Sequence, residues 1–346
     1  YLDHVRCHGF YPPFLFENGE IVTIAGNTRK DCGKNTENMH MSPETSHAQR
    51  WNLEGKKQYS QDIFLEKILS FIRANQDKPF FLFHPTQLPH GPISIPKVHP
   101  EVADNPNLTE LEKEYASMVK MLDDHVGIII SELKKLGLEE NTMIVFASDN
   151  GHEIYYAQAG RCEKPYRNLK TGKLFDNYES KYYSDLSGDV FNGNADMAGL
   201  KRSNLEGGVH IPLVFYWKGH LEKGKARTEV VTNYDFLPTM ADLLKVPLPV
   251  SKDGISFLPV LLENRKLPAD RHVVFGSNLG PGLVMNDGWK IRHYRKEKVF
   301  ELYNLPQDPQ ERNNLIQKNP ERAEKMKTIL LQECGGNLEN GVNRAG

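Results

Sequence analysis

No apolar run in this 346-residue chain approaches the roughly 18 residues that a membrane-crossing helix needs. Nor is there a basic excess. Lys and Arg number 43 against 45 Asp and Glu, and the net charge of −2 argues against a general nucleic-acid binder. Cysteine is sparse: Cys7, Cys32, Cys162 and Cys334 are scattered, and none forms the CxxC spacing of a zinc or redox site. Those four allow three disulfide pairings or plain thiols, so they decide no redox compartment. Internal repeats and low-complexity tracts are absent too. The chain opens on Tyr1 rather than Met with no signal-peptide pattern, so we expect it to begin inside a longer precursor or a shortened form of one. A single glycosylation sequon, Asn107-Leu108-Thr109, is too common by chance to inform.

What is present describes an ordinary globular protein. Hydrophobic residues make up 39% and charged residues 25%, and the length suits one large domain plus a smaller one. Residues 1–58 are rich in Gly, Pro, Asn and aromatics and read as extended loops with one hairpin at Asn18-Gly19. From Ser60 the period turns helical, with Phe64, Ile68, Phe71 and Ile72 on one face. Lys78-Pro79 ends that helix and leads into Phe80-Phe81-Leu82-Phe83, an apolar run that reads as a buried strand. Thr109 and Glu112 form a capping box. The stripe Leu111, Tyr115, Met118, Val119, Leu122, Val126, Ile129, Ile130 and Leu133 follows, closed by Lys134, Lys135 and Gly137. Met143 to Ala147 reads as the next strand, and strand, helix, strand at this spacing predicts a mostly parallel sheet sandwiched by helices.

Residues 154–198 are polar, Tyr- and Gly-rich and aperiodic, too long for a plain connection, and are expected to form a functional loop over a site. A third strand is expected at Ile211–Tyr216 and a helix over 233–245. Beyond about residue 262 the style changes. Short strands near 272–276, 282–286, 288–294 and 298–303 are split by turns such as Asn286-Asp287-Gly288, and a last helix opens at Asn319-Pro320 and stops at Gly335-Gly336. The expected division is therefore 1–262, an α/β domain, and 263–346, a small antiparallel α+β domain.

In open α/β sheets, ligands bind beyond the strand ends. Three polar clusters fall there. Ser148-Asp149-Asn150-Gly151-His152 sets a carboxylate beside an amide oxygen, a donor pair suited to a hard cation such as Ca²⁺, although Asp-Asn-Gly is also a common turn. His90, in Leu88-Pro89-His90-Gly91-Pro92, is held by flanking prolines, while His84 falls inside the apolar run and reads as a core or supporting residue. Gly199-Leu200-Lys201, followed by Glu206-Gly207-Gly208-Val209-His210-Ile211-Pro212, offers a point charge for an anionic oxygen and glycines for close backbone approach. By itself Lys201 reads equally as a solvated surface residue.

The order and strand-end placement of these clusters resemble the formylglycine-dependent (type I) sulfatases of the alkaline phosphatase superfamily. The resemblance runs almost end to end. It covers Tyr1-Leu2-Asp3 to Asn18-Gly19-Glu20, Lys78-Pro79-Phe80-Phe81-Leu82 to His90-Gly91-Pro92, and Leu136-Gly137-Leu138 to Gly151. It continues through Gly199-Leu200-Lys201 to Pro212, Asp235-Phe236-Leu237-Pro238-Thr239 and Asp253-Gly254-Ile255-Ser256. Glu301-Leu302-Tyr303-Asn304-Leu305, Asp308-Pro309 and Asn314-Leu315 are similar to that family's small domain.

The resemblance implies an alkaline-phosphatase-like α/β fold and hydrolysis of a sulfate ester, with sulfated carbohydrate favoured by the Tyr-rich 154–198 segment. Asp149 and Asn150 are similar to that family's two later Ca²⁺ ligands. His90 resembles its sulfate-contacting histidine and Lys201 its sulfate-binding lysine. His210 stands where many relatives have Arg, and His152 is placed toward substrate. The family's Cys-x-Pro-x-Arg or Ser-x-Pro-x-Arg motif, source of the formylglycine nucleophile, is not in this sequence: Cys7 is followed by His8-Gly9-Phe10 and Cys32 by Gly33-Lys34-Asn35. The expectation is a C-terminal portion that is inactive alone, from an exported protein (periplasmic, secreted or lysosomal). Two other functions are compatible: a phosphatase or phosphonate monoester hydrolase of the same superfamily, for which a phosphatase would be expected to hold two zinc ions, or a non-catalytic sulfatase-like module that binds anionic glycans.

Overall fold

A computed structural model of the chain describes residues 2–3, 9–28, 53–91, 93–154, 162–163, 167–168, 181–187, 189–248 and 253–342. Cys7, Cys32, the Cys162 side chain and most of 155–180 lie outside them. Cys334 is a buried thiol. Two compact units divide the chain, one of residues 1–142 with 154–172 and one of 143–153 with 173–346.

In the first unit, β1 (Leu2–Asp3), β2 (Phe14–Glu17) and β3 (Glu20–Thr23) form an antiparallel sheet. The hairpin expected at Asn18-Gly19 is there. Asn18 and Gly19 both take positive φ (56° and 92°), as the tight two-residue turn requires. Buried Asn27 ties the following loop down. Its amide donates to the carbonyls of Pro12 (2.9 Å) and Gln58 (2.8 Å), and its oxygen accepts from the Lys57 and Gln58 amides. Helices α1 (Ser60–Ala74) and α2 (Glu110–Lys135) follow, joined by an Arg73–Glu132 ion pair of 2.6 Å. Both capping-box bonds at the start of α2 form: the Glu112 amide donates to Thr109 Oγ1 (3.3 Å), and the Thr109 amide to Glu112 Oε2 (2.8 Å). The buried face of α2 is narrower than its apolar stripe. Leu111, Tyr115, Met118 and Leu133 are buried, whereas Val119 is 42% exposed.

The expected strand at 80–83 does not form a ladder among the described residues. The segment is extended between Pro79 and Pro85, but Phe81 and Phe83 are 75% and 77% exposed. No described strand pairs with this run, so its apolar composition alone overstated the burial.

In the second unit, β4 (Ile144–Ala147) pairs with β5 (Leu213–Tyr216), and the pairing is antiparallel, Ile144 opposite Tyr216 and Ala147 opposite Leu213. The sequence had left the direction of this pair open, and the structure sets it. It also explains why an expected strand exit and an expected strand start fall side by side: antiparallel pairing sets the carboxyl end of β4 against the amino end of β5.

Downstream, α3 (Phe236–Leu244) is anchored by Asp235, which is fully buried. Its carboxylate accepts from Arg271 Nη2 (2.7 and 2.8 Å), the Ile255 amide (2.9 Å) and the Thr232 amide (3.0 Å). The Asp235–Thr239 and Asp253–Ser256 motifs are therefore two halves of one structural clamp. The antiparallel sheet expected near the C-terminus forms as β6 (His272–Phe275), β7 (Gly282–Met285), β8 (Trp289–Tyr294) and β9 (Val299–Asn304), in sequential order. Helix α4 (Pro320–Glu333) packs on it through Leu283, Met285, Ile291, Leu302, Ala323, Met326 and Leu330, each buried.

Candidate functional site

The strand-end loops of the second unit are woven together by backbone hydrogen bonds. The Ser148 amide donates to the Pro212 carbonyl (3.3 Å), the Gly151 amide to Gly208 (3.0 Å), and the Lys201 amide to His152 (2.7 Å). The Gly207 amide donates to Ala198 (2.7 Å). Two of the three polar clusters, 148–152 and 199–212, thus form one loop assembly. Its glycines are there because there is no room for a side chain. A Cβ on Gly151 would sit 2.1 Å from the Gly207 carbonyl oxygen, and one on Gly207 would sit 2.3 Å from the Gly199 oxygen.

Asp149 is exposed and Asn150 half-buried at the carboxyl end of β4. The Asn150 amide nitrogen donates to Asp149 Oδ1 (3.0 Å), and Ser148 Oγ donates to the Asn150 carbonyl (2.8 Å). The two side chains therefore lie close enough to share one cation, with hard oxygen donors of the type Ca²⁺ takes. They supply two of the 6–8 oxygens such an ion binds. Among the described residues no group of three or more His, Cys, Asp or Glu completes a metal site.

Lys201 is half-buried, and its charge is felt by Glu153. Burial raises the Glu153 carboxyl above its ordinary range, with Arg202 and Lys201 acting against that rise. Arg202 Nη1 donates to Glu153 Oε2 at 2.6 Å. His152 is packed into the protein: a Cβ on Gly193 would lie 2.6 Å from its ring, and burial lowers its pKa against the pull of Asp189. His210 carries a side chain 64% exposed, and its Nδ1 lies 3.0 Å from Glu206 Oε2. Sequence reading placed Glu206 in a cluster without giving it a role, and did not single out Glu153. The i,i+4 spacing of Glu206 and His210 on a helical turn is the signal that would have found the first.

His90 belongs to the first unit. Its amide donates to the Gln87 carbonyl (2.7 Å), and its Nδ1 contacts the Gly91 carbonyl. A carbonyl only accepts, so this contact puts the ring proton on Nδ1. Gln87 is itself buried, donating to the Gly9 carbonyl (3.0 Å) and accepting from Gln61 (2.6 Å). His84 stands near Phe64, ring centroids 6.3 Å apart, and burial with nearby His125 lowers its pKa. It is a packed residue, as read from the sequence.

Residues 20–246 match the family model described as Sulfatase. The chain belongs to the sulfatase family. It is 28% identical over 302 residues to a Formosa agariphila protein named Sulfatase, covering 78% of this chain and 48% of that one. It is likewise 28% identical to the N-acetylgalactosamine-6-O-sulfatase of Bacteroides thetaiotaomicron, covering 78% and 50%. The chain spans about half the length of these curated relatives. Among solved structures, a Bacteroides thetaiotaomicron protein described under the metabolism of multiple glycosaminoglycans superposes with a TM-score of 0.64 at 22% identity, covering 93% of this chain and 69% of its own. The crystal structure of Ps i-CgsB in complex with k-i-k-neocarrahexaose superposes with a TM-score of 0.62 at 24% identity, covering 84% and 58%. These neighbours share the α/β fold expected from the sequence. No helix among the described residues is long and apolar enough to cross a membrane.

Proposed function

We propose that this chain carries the sulfate-gripping part of a sulfuric ester hydrolase that acts on sulfated carbohydrate. The supporting observation is the loop assembly of the second unit, where backbone bonds from Gly151 to Gly208 and from Lys201 to His152 draw the Asp149–Asn150 pair and Lys201 to one end of the β4–β5 pair. Relatives named for N-acetylgalactosamine-6-O-sulfate support the substrate class. Within the same proposal, residues 1–262 and 263–346 form the α/β and small domains, and the protein is exported.

Asp149 and Asn150 would hold Ca²⁺ through their side-chain oxygens. When bound, that ion would supply positive charge to the sulfate oxygens, and a formylglycine outside this sequence would supply the nucleophile. Lys201 sets its charge against negative charge growing on the sulfate, an interaction strongest in the transition state. His90, whose proton sits at Nδ1 toward Gly91, would be the proton-transfer partner of the leaving oxygen. His152 and His210 line the substrate side. Without the nucleophile, the isolated chain binds but does not turn over.

The test uses a full-length protein containing this chain. Lys201→Ala should lower aryl sulfate turnover by on the order of 10²–10³, with circular dichroism unchanged. His90→Ala should lower turnover as well. Near-unchanged rates in both variants would sink the assignment, and preferential hydrolysis of an aryl phosphate would favour the phosphatase instead.

A further inference from the structure

Resting on the sulfatase reading of this loop assembly, we propose that His210 is a protonation-gated anion contact, held in register by a buried relay of Glu206, Lys290 and Glu311. The geometry begins in the C-terminal sheet. Lys290, on β8, is fully buried and places Nζ 2.8 Å from Glu206 Oε1 and 3.1 Å from Glu311 Oε1, over the ring of Phe275. Glu311, also fully buried, uses its other oxygen to accept the Glu206 backbone amide at 2.6 Å. Glu206 is thus gripped at both its main chain and its carboxylate. Its remaining oxygen, Oε2, faces His210 Nδ1.

The relay fixes both the orientation of the imidazole and the nitrogen that carries its proton. A carboxylate only accepts, so Nδ1 must donate to it. The ring's other nitrogen, Nε2, has no partner among the described residues, on a side chain that is 64% exposed. When Nε2 takes a proton, the ring offers a cationic donor beside the 148–152 and 198–212 loops. The charged groups facing His210 are Glu206, four residues before it, and Lys290 behind Glu206. The hydrogen bond to Glu206 raises the His210 pKa, while burial and Lys290 oppose the rise. Burial alone would raise the Glu206 carboxyl, but Lys290 and the bond from His210 outweigh it and hold it down to about 2. Glu206 therefore remains an anion throughout the range in which His210 titrates.

The sign follows. A raised histidine keeps its charge past its ordinary value of about 6.5, and loses it as the pH climbs through the raised value. Anion binding at this site should be strong on the acid side and weaken toward alkaline pH.

The experiment is an NMR titration of the isotopically labelled chain with inorganic sulfate at pH 6 and pH 8.5. The His210 ring should titrate above 6.5, shift on sulfate addition at pH 6, and bind sulfate on the order of tenfold more weakly at pH 8.5, the scale of one charge-assisted hydrogen bond. His210→Gln, on an exposed side chain, should keep the fold and abolish that pH difference. Glu206→Gln should lower the His210 titration midpoint. Lys201→Ala should weaken binding equally at both pH values. A ring that titrates below 6.5, shows no sulfate-linked shift at pH 6, or leaves the pH difference intact in His210→Gln overturns the proposal. If Lys201→Ala has no effect while the His210 results hold, the sulfatase reading of the site fails and the gated contact stands.

Discussion

Gly151 sits between an exposed carboxylate and a buried turn, and its missing side chain is what lets β4 run straight into the 206–209 turn. With only 2.1 Å between its notional Cβ and the Gly207 carbonyl oxygen, the obstacle is backbone that cannot rotate away. Gly151→Ala should therefore destabilise the protein by about 1–3 kcal/mol, the cost of overpacking, with the Asp149–Asn150 pair displaced. Urea unfolding measures the first effect. Gly127 makes the opposite case. It is exposed within α2, and a Cβ there would meet nothing within 4 Å. Gly127→Ala should stabilise by about 0.5–1 kcal/mol through helix propensity. Opposite shifts of the unfolding midpoint in the two variants would separate an obligatory glycine from a dispensable one.

At the scale of elements, α2 depends on how it starts. Thr109 and Glu112 satisfy each other's amides, and the Glu112 side chain does so while fully buried. Thr109→Ala should cost about 1 kcal/mol, and Glu112→Ala more, because it empties a fully buried side-chain site as well as removing the partner of the Thr109 amide. Thermal unfolding of both variants checks the order, and an equal or smaller loss for Glu112→Ala would contradict it. The capping box was legible in the sequence because it is local: its two residues are three apart and contact each other directly. The 80–83 segment was misread for the complementary reason. Consecutive apolar residues state a preference for burial, but a strand needs a neighbour, and composition does not supply one.

For the whole molecule, cation binding is the telling property. Asp149 and Asn150 bring two oxygens where Ca²⁺ takes 6–8, and the described residues add no further acidic or imidazole cluster. Calorimetry on this chain should find Ca²⁺ binding weak, and Asp149→Ala should abolish what there is. Tight stoichiometric binding would show that further ligands come from within these 346 residues. The sequence by itself determined the helices, the Asn18-Gly19 hairpin, the C-terminal meander and the motifs of the site, because each is written in residues a few positions apart. Tertiary structure decided the rest. It set β4 antiparallel to β5, turned the Asp235 and Asp253 motifs into one clamp, and brought Lys290 and Glu311 onto Glu206 from 84 and 105 positions away. The Glu206 contacts follow from burying charge beside opposite charge, and no local pattern in the chain announces who the partners are.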